Sequence, residues 1–112
     1  MKELYHDGVC IKLGQNAIEN LKLIKEAHKD YLWIHLKSFR SGHVIIQDHN
    51  PSQNVIDFAL RLCLNGTKQK NMQNVVGSIT TVSNIRLTNE IGEVEFKSNK
   101  KVYSKKIGQI DP

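Results

Sequence analysis

The sequence has 112 residues and a formal net charge of +5, with 24% charged and only 6% aromatic residues. This length fits one domain over residues 1–112, with a core of mainly Ile, Leu and Val, and it argues against a second independently folded unit. The cationic excess favours acidic partners. It lies in the second half, because residues 1–60 hold seven Lys or Arg and seven Asp or Glu, whereas residues 61–112 hold nine against four.

The two cysteines and the N-terminus indicate a protein of a reducing compartment. Cys10 and Cys63 lie far apart among apolar residues, which is typical of buried thiols and not of a disulfide framework or a metal-binding pair. The first seven residues lack the apolar segment of a signal peptide, and no apolar run has membrane-spanning length. We therefore expect a cytoplasmic protein that uses no metal or other cofactor and does not enter a membrane.

The first elements in the chain are a strand and a helix. Residues 9–13 are β-prone and are followed by a glycine. Asn16, with Glu19 three residues later, is a capping-box pattern and predicts a helix that begins there and ends near residues 29–30. Helical spacing predicts that one stripe of this helix is buried, formed by Ala17, Leu21, Ile24 and His28.

Residues 31–46 predict a β-hairpin. Its first strand alternates an aliphatic row with a polar and aromatic row, which places the two rows on opposite faces: Leu32, Ile34 and Leu36 against Tyr31, Trp33 and His35. The second strand covers residues 41–46, and the polar turn before it contains Lys37, Phe39 and Arg40. Trp33 is interpreted as a core residue, since a lone Trp inside a strand is more often buried than free to stack on a ligand.

A second helix follows the hairpin. Residues 55–63 are apolar at helical spacing, and the pair Asn65-Gly66 is typical of a helix C-terminus, so this helix is predicted to be the better buried of the two. Residues 75–82 are again β-prone and contain Gly77, which marks a bulge or a close approach of another element.

The last third of the chain predicts strands. Residues 92–97 and 101–107 alternate apolar with polar side chains and read as a hairpin that turns at residues 98–100. The element order then predicts an α+β fold, a single domain with a largely antiparallel β-sheet and two packed α-helices.

Seven short motifs occur in an order that is informative as a set: Gly14–Asn20, Trp33–Lys37, Gly42–Ile46, Asn74–Val76, Val82–Ile85, Gly92–Val94 and Lys100–Val102. In this order they resemble the NFACT-R domain, the predicted RNA-binding module near the C-terminal end of proteins of ribosome-associated quality control. The similarity spans roughly residues 9–107. Where the family usually has Gly-Ser-His, this chain has Ser41-Gly42-His43.

The resemblance implies a particular function. The quality-control proteins that carry this domain also have long N-terminal and coiled-coil regions, which do not fit in 112 residues, so we expect a stand-alone version of the domain. It implies binding of structured RNA, namely tRNA, rRNA or the ribosome, in translation quality control. DNA and a protein are further candidate partners, and the sequence does not indicate the oligomeric state.

The predicted interface combines cations that neutralise phosphates with side chains that add hydrogen bonds. The cations are Lys37, Arg40, Lys68, Lys70, Arg86, Lys100 and Lys101. The hydrogen-bonding residues are His35, His43 and Asn84. Contacts made mainly to phosphate carry little base information, so we expect weak sequence preference and affinity that falls steeply with salt.

Two other classes of function compete with this interpretation. A small hydrolase or nuclease would use His35 and His43 as acid and base together with Asp30 or Asp48. The sequence contains no activated nucleophile, metal-ligand spacing or phosphate loop that supports it, so we expect no enzymatic activity. The other competitor is a protein-interaction module whose basic face meets an acidic partner.

Overall fold

Residues 1–108 form a single α+β domain of two α-helices and eight strands, which confirms the predicted fold class. A computed structural model describes residues 1–108. The helices are α1 (Ala17–Glu26) and α2 (Gln53–Asn65). The strands are β1 (Lys2–His6), β2 (Val9–Leu13), β3 (Leu32–Leu36), β4 (Val44–Ile46), β5 (Val76–Thr81), β6 (Ile85–Leu87), β7 (Val94–Phe96) and β8 (Tyr103–Lys106). Neither helix has the length and apolar character needed to cross a bilayer.

Six strands form an antiparallel sheet in the order β1-β2-β4-β3-β5-β8, and β6 and β7 form a separate two-stranded sheet. The predicted hairpin is present as β3 and β4, with Leu32 opposite Ile46 and Ile34 opposite Val44. Strand β3 lies inside the sheet between β4 and β5, so both of its edges are hydrogen-bonded. The position of β3 in the sheet therefore determines where the turn between β3 and β4 lies.

One face of the six-stranded sheet packs against α2. Buried aliphatic residues of both layers form this core, among them Ile11, Ile34, Leu36, Val44, Ile46, Val55 and Leu60. Each such side chain contributes about 1.5–3 kcal/mol on burial. Gly77 is the predicted close approach, because a Cβ there would collide with the Leu60 side chain. Helix α2 follows the Ser52 cap. It ends before Gly66, as the sequence predicts.

The opposite face of the sheet is covered by α1 and by the β6–β7 sheet. A second core cluster lies there, formed by Leu23, Ile24, Trp33, Ile45, Val82 and Ile85. Trp33 is only 2% exposed, which confirms that it is a core residue. Both faces of β3 are therefore buried, and the domain has three layers with the large sheet in the middle.

Helix α1 differs from the prediction in its end and in its buried face. It ends at Glu26, because Ala27 adopts extended backbone and leads the chain toward β3. The predicted stripe is wrong at Ala17 and His28, which are exposed, whereas Ile24 is buried as predicted. The other buried residues of the helix are Asn20 and Leu23. Polar Asn20 faces inward because it accepts a hydrogen bond from the chain before β4. The buried face is therefore rotated relative to the apolar pattern.

The predicted C-terminal hairpin is also wrong. Strand β7 pairs with β6, and β8 pairs with β5 at the edge of the large sheet. The cause is a pair of buried contacts, because Ile85 lies opposite Phe96 and both pack around Trp33. Strand β1 was not predicted either, since its side chains are mostly exposed and lack an apolar row.

The two thiols partly match expectation. Both Cys10 and Cys63 are free, and Cys63 is buried, whereas Cys10 is only half-buried. Burial raises the pKa of Cys63 to about 11, so its thiol is protonated at neutral pH. Its Sγ lies 3.4 Å from Oγ of Ser41 in the hairpin turn, which joins α2 to that turn.

Gly92 and Gly8 allow a matched test of how the β6–β7 loop docks on α1. Both have positive φ, 81° and 79°. A Cβ on Gly92 would lie 2.7 Å from Cα of Ala17, whereas a Cβ on Gly8 would meet no atom within 4 Å. The left-handed backbone lowers the free energy of unfolding of both Ala variants by about 1–2 kcal/mol. Overpacking lowers that of Gly92→Ala by about 1–3 kcal/mol more. Urea unfolding of both variants measures the difference, and equal losses would contradict the docking contact.

Candidate nucleic-acid interface

An open cleft lies on the α1 side of the large sheet, and its volume is about 1210 Å³. Three segments form its walls: the start of α1 (residues 15–20), the hairpin turn (residues 37–43) and the loop and strand at residues 91–96. Side chains of β3 and β5 form its floor, including Trp33 and Ser78. The cleft therefore gathers residues that are distant in the sequence, and four of the predicted site residues line it: His35, Lys37, Arg40 and His43.

The backbone at His43 is held on both sides. Its N–H donates to Oδ1 of Asn20 at 3.0 Å, and its carbonyl accepts from the N–H of Gly14 at 2.9 Å. The neighbouring residue must be glycine, because a Cβ on Gly42 would collide with the Gly14 carbonyl oxygen. The cap of α1 completes this corner, since the Asn16 side chain accepts from the N–H of Glu19 as predicted.

Four rings form a cluster on the floor of the cleft. The ring of His35 lies nearly parallel to Trp33, with centroids 5.7 Å apart, and His43 meets Trp33 edge-on at 5.3 Å. Phe96 from β7 contacts the same indole edge-on at 5.6 Å. His43 is buried and His35 is half-buried. Such geometry is typical of stable aromatic packing.

Both histidines are neutral at physiological pH. Burial and, to a smaller extent, the nearby His35 together lower the pKa of His43 to about 3. Burial also lowers the pKa of His35, with partial compensation from its hydrogen bond. Nδ1 of His35 lies 2.6 Å from the Leu36 carbonyl oxygen, which can only accept. Nδ1 therefore carries the proton, and Nε2 of His35 is an acceptor.

The rim of the cleft is charged. Lys37 and Arg40 are exposed in the hairpin turn, and neither forms an ion pair with any residue in the range 1–108. The turn itself is fixed, because Leu36 N–H donates to Ser41 Oγ at 3.1 Å and Lys37 N–H donates to the Val76 carbonyl at 2.9 Å. The opposite wall carries one exposed carboxylate, Glu93.

The remaining predicted cations lie outside this cleft. Lys100 and Lys101 line a second groove of about 640 Å³ that is formed with residues of α2, β5 and β8. Lys68 and Lys70 are exposed in the connection after α2. Arg86 lies 3.3 Å from Glu95 on the small sheet, so its charge is partly offset. The structure thus divides the predicted set between separate surfaces.

Asn84 has a structural role. It is 4% exposed, and its Nδ2 donates to Thr80 Oγ1 and to the Ser98 carbonyl, each at 2.9 Å. Its Oδ1 accepts from the Ser98 N–H at 3.0 Å. Both amide hydrogens and the amide oxygen are therefore used inside the protein, and we leave Asn84 out of the interface.

The acid–base arrangement that a hydrolase would need is not assembled. Asp30 precedes β3 and Asp48 follows β4, at the end of the hairpin where Leu32 pairs with Ile46. His35 and His43 lie at the other end, five residues away along each strand, which corresponds to roughly 17 Å. Asp30 instead lies 3.7 Å from exposed His28.

One group of potential metal ligands is present outside the cleft in residues 1–108. His28, Asp30 and His49 each offer a ligand atom, and these atoms lie within 4.8 Å of one another. All three side chains are exposed. Two imidazoles and a carboxylate suit Zn²⁺ or a similar transition metal. Exposed groups of this kind are common without an ion, so the expectation that the protein uses no metal stays a prediction.

Several residues of the site were not predicted from the sequence. Asn20 and Glu93 form parts of the walls, and Phe96 and Ser78 contribute to the interior surface. The alternation of residues 92–97 placed Phe96 in the apolar row of a strand, but it did not predict the contact with Trp33, which depends on the β6–β7 pairing. Asn20 gives no sequence signal, because a lone Asn in a helix is ordinarily exposed.

Fold and site together define a single α+β domain with a basic-rimmed cleft and a neutral aromatic floor. No protein-family model matches the chain. It is 31% identical over 120 residues to Protein JLP2 of Saccharomyces cerevisiae, and the match covers 96% of this chain and 57% of JLP2. The chain therefore spans little more than half the length of this relative.

A solved structure has a similar fold. It is the C-terminal part of the fibronectin/fibrinogen-binding protein from Streptococcus suis, with a TM-score of 0.85 and 23% sequence identity. The match covers 97% of this chain and 45% of that chain. At this identity the likeness establishes the three-layer fold alone.

The buried neutral histidines predict a stability that depends on pH. Between the ordinary histidine pKa of 6.5 and the native value of about 3 for His43, the unfolded chain binds a proton that the native chain does not. The free energy of unfolding therefore falls as pH decreases through this window, by up to about 1.4 kcal/mol per pH unit for His43. Urea unfolding between about pH 7 and pH 5, above the range where carboxylates titrate, measures this slope.

A pair of variants tests whether His43 causes the dependence of stability on pH. His43→Gln removes one of the two titrating groups and is expected to reduce the slope, whatever its effect on stability at neutral pH. His49→Gln makes the same substitution at an exposed histidine and is the control. Equal slopes in the wild type and His43→Gln would contradict the assignment.

Proposed function

We propose that the chain is an RNA-binding domain that holds structured RNA, such as tRNA, rRNA or a ribosomal surface, mainly by its phosphates. The observation that carries the proposal is the pair of unpaired cations, Lys37 and Arg40, on the rim of a cleft with a ring-lined floor. Cations free of carboxylate partners are available to neutralise phosphates, and the release of counterions then drives binding. The resemblance to the NFACT-R domain supports the same function and links it to translation quality control.

The geometry of the turn favours phosphate contact over a merely solvated surface. The backbone N–H groups of Leu36 and Lys37 form hydrogen bonds that hold the ends of the turn from which the two cations project. Arg40 supplies a planar fork suited to two phosphate oxygens, whereas Lys37 acts as a point charge. Preorganised cations lose less entropy on binding than cations on a mobile loop.

The second groove extends the basic surface. Lys100 and Lys101 line it and form no ion pair with a residue in the part of the chain that the structure describes. The adjacent residues Asn99 and Val102 line the main cleft, so the two grooves meet at this short segment. An RNA backbone that leaves the cleft along this path encounters further positive charge.

A protein partner is the second candidate. The structural neighbour from Streptococcus suis is named for binding fibronectin and fibrinogen, and an acidic protein segment would suit the same cations. Salt separates the two candidates. Phosphate-led RNA binding weakens by orders of magnitude as salt rises, whereas a protein interface with an apolar centre changes less.

The cleft cations give the first test of RNA binding. The double variant Lys37→Ala/Arg40→Ala is expected to weaken binding to structured RNA at least about tenfold and to lower the salt slope of log K by about two units. Fluorescence anisotropy over a salt series, with structured RNA, single-stranded RNA and duplex DNA as probes, measures both quantities.

Two comparison variants sharpen this test. Lys2→Ala/Lys29→Ala removes the same charge from exposed residues that do not line the cleft and is expected to retain most of the affinity. The variant Lys100→Glu/Lys101→Glu tests whether the second groove contributes to RNA affinity. No binding of any probe by the wild type at low salt would reject the proposed function, and equal effects of the two alanine pairs would reject the cleft as the interface.

Glu93 gives a prediction of opposite sign. Its carboxylate lines the cleft and repels a phosphate, so Glu93→Gln is expected to raise RNA affinity about two- to threefold at low salt, with a smaller gain at high salt. Glu26→Gln makes the same charge change at the far end of α1 and is the control. Anisotropy titrations of both variants compare the effects, and a gain of the same size from Glu26→Gln would show that net charge alone decides affinity.

A further inference from the structure

Two polar ring atoms at the floor of the cleft are unpaired in the part of the chain that the structure describes. Nε1 of Trp33 and Nδ1 of His43 are buried and make no hydrogen bond to any residue from 1 to 108. The two residues are 2% and 4% exposed, and both line the cleft. An unpaired buried polar group is costly, so native proteins keep few of them. Two such atoms whose rings lie 5.3 Å apart indicate a site for a ligand with polar edges.

The surrounding surfaces suit a flat ring. His35 and Phe96 are half-buried, and each of them contacts the Trp33 ring. Phe39 is half-buried in the hairpin turn. Each of these residues lines the cleft. Aromatic side chains bind any nucleobase through its π-face, with little dependence on sequence. The cleft volume of about 1210 Å³ accommodates a nucleotide.

The charges around the cleft favour one orientation of the bound ligand. Lys37 and Arg40 lie on the hairpin-turn wall and suit a phosphate. Glu93 lies on the wall formed by residues 91–96, where it disfavours a phosphate and accepts from an amino or imino group. A nucleotide with its phosphate toward the hairpin turn and its base toward the floor is compatible with the charges on both walls.

We propose that the cleft binds one unpaired nucleotide of the RNA, with its phosphate at Lys37 and Arg40 and its base on the aromatic floor beside Trp33, His35 and His43. This inference rests on the proposed function and names the part of the RNA that the cleft holds. A base inside a duplex is excluded, because its pairing edge is already hydrogen-bonded and both of its faces are stacked.

The lone Trp33 is an intrinsic probe of the site. Titration of the wild-type chain at low salt with the four ribonucleoside monophosphates is expected to change its fluorescence saturably. Ribose 5-phosphate, which carries the phosphate without a base, is expected to leave it unchanged. The absence of a saturable change with every nucleotide, or an equal change with ribose 5-phosphate, would overturn the base site.

RNA probes separate this site from general RNA binding. An RNA hairpin with an unpaired loop is expected to bind about five- to tenfold more tightly than a blunt duplex with the same number of phosphates. Trp33→Phe, which keeps an aromatic ring but removes the N–H, and His35→Ala are expected to lose this preference while the salt slope stays unchanged. His49→Ala is the control. Circular dichroism checks that each variant folds, and His35→Ala serves if Trp33→Phe does not.

The outcomes distinguish the two proposals. Equal affinity for hairpin and duplex, or a preference that survives in both cleft variants, overturns the nucleotide site and leaves RNA binding intact. Failure of both RNAs to bind overturns the proposed function and this inference together.

Discussion

The cleft depends on one close contact between backbones, where Gly42 passes directly against Gly14. No side chain fits at either position, because a Cβ on Gly42 would collide with the Gly14 carbonyl and a Cβ on Gly14 would collide with Oδ1 of Asn20. The same corner holds the hydrogen bonds on both sides of the His43 backbone. The end of β2, the helix α1 and the start of β4 therefore have a single arrangement, and the cation-bearing turn is attached to it.

The second constraint comes from β3, which is buried on both faces. Its aliphatic row packs against α2, and its other row meets α1 and the small sheet. A polar residue on that second row loses water, which explains why both histidines near the end of the hairpin have lowered pKa values. Formal charge is consequently absent from the floor and lies at the rim, on Lys37, Arg40 and Glu93.

How far the sequence predicts this structure depends on whether a signal is local. The hairpin and α2 follow from periodicity and turn residues that lie within their own segments, and both are present. The buried face of α1 does not follow from its own segment, because it is decided by the hydrogen bond that Asn20 accepts from the backbone N–H of a residue 23 positions away. The pairing of β7 with β6 likewise depends on packing around Trp33, which no pattern within residues 94–107 encodes.

The candidate site shows the same limit. The sequence identified His35, Lys37, Arg40 and His43, which share the hairpin and so lie together whenever the hairpin forms. Cations from other segments were selected by charge alone, and the fold distributes them over other surfaces. Asn84 was selected for its hydrogen-bonding amide, and that same property is why the protein uses it internally.

The separation of a charged rim from a neutral floor has a physical consequence for recognition. Attraction by exposed cations is screened within about 8–10 Å at physiological salt and varies with ionic strength. Hydrogen bonds and ring contacts in a buried floor are largely unaffected by salt, because water and ions are excluded from it. An apolar side chain in place of His43 would fill the same space without leaving a polar atom unpaired. A neutral imidazole beside the indole N–H therefore keeps the floor polar without placing a formal charge on it.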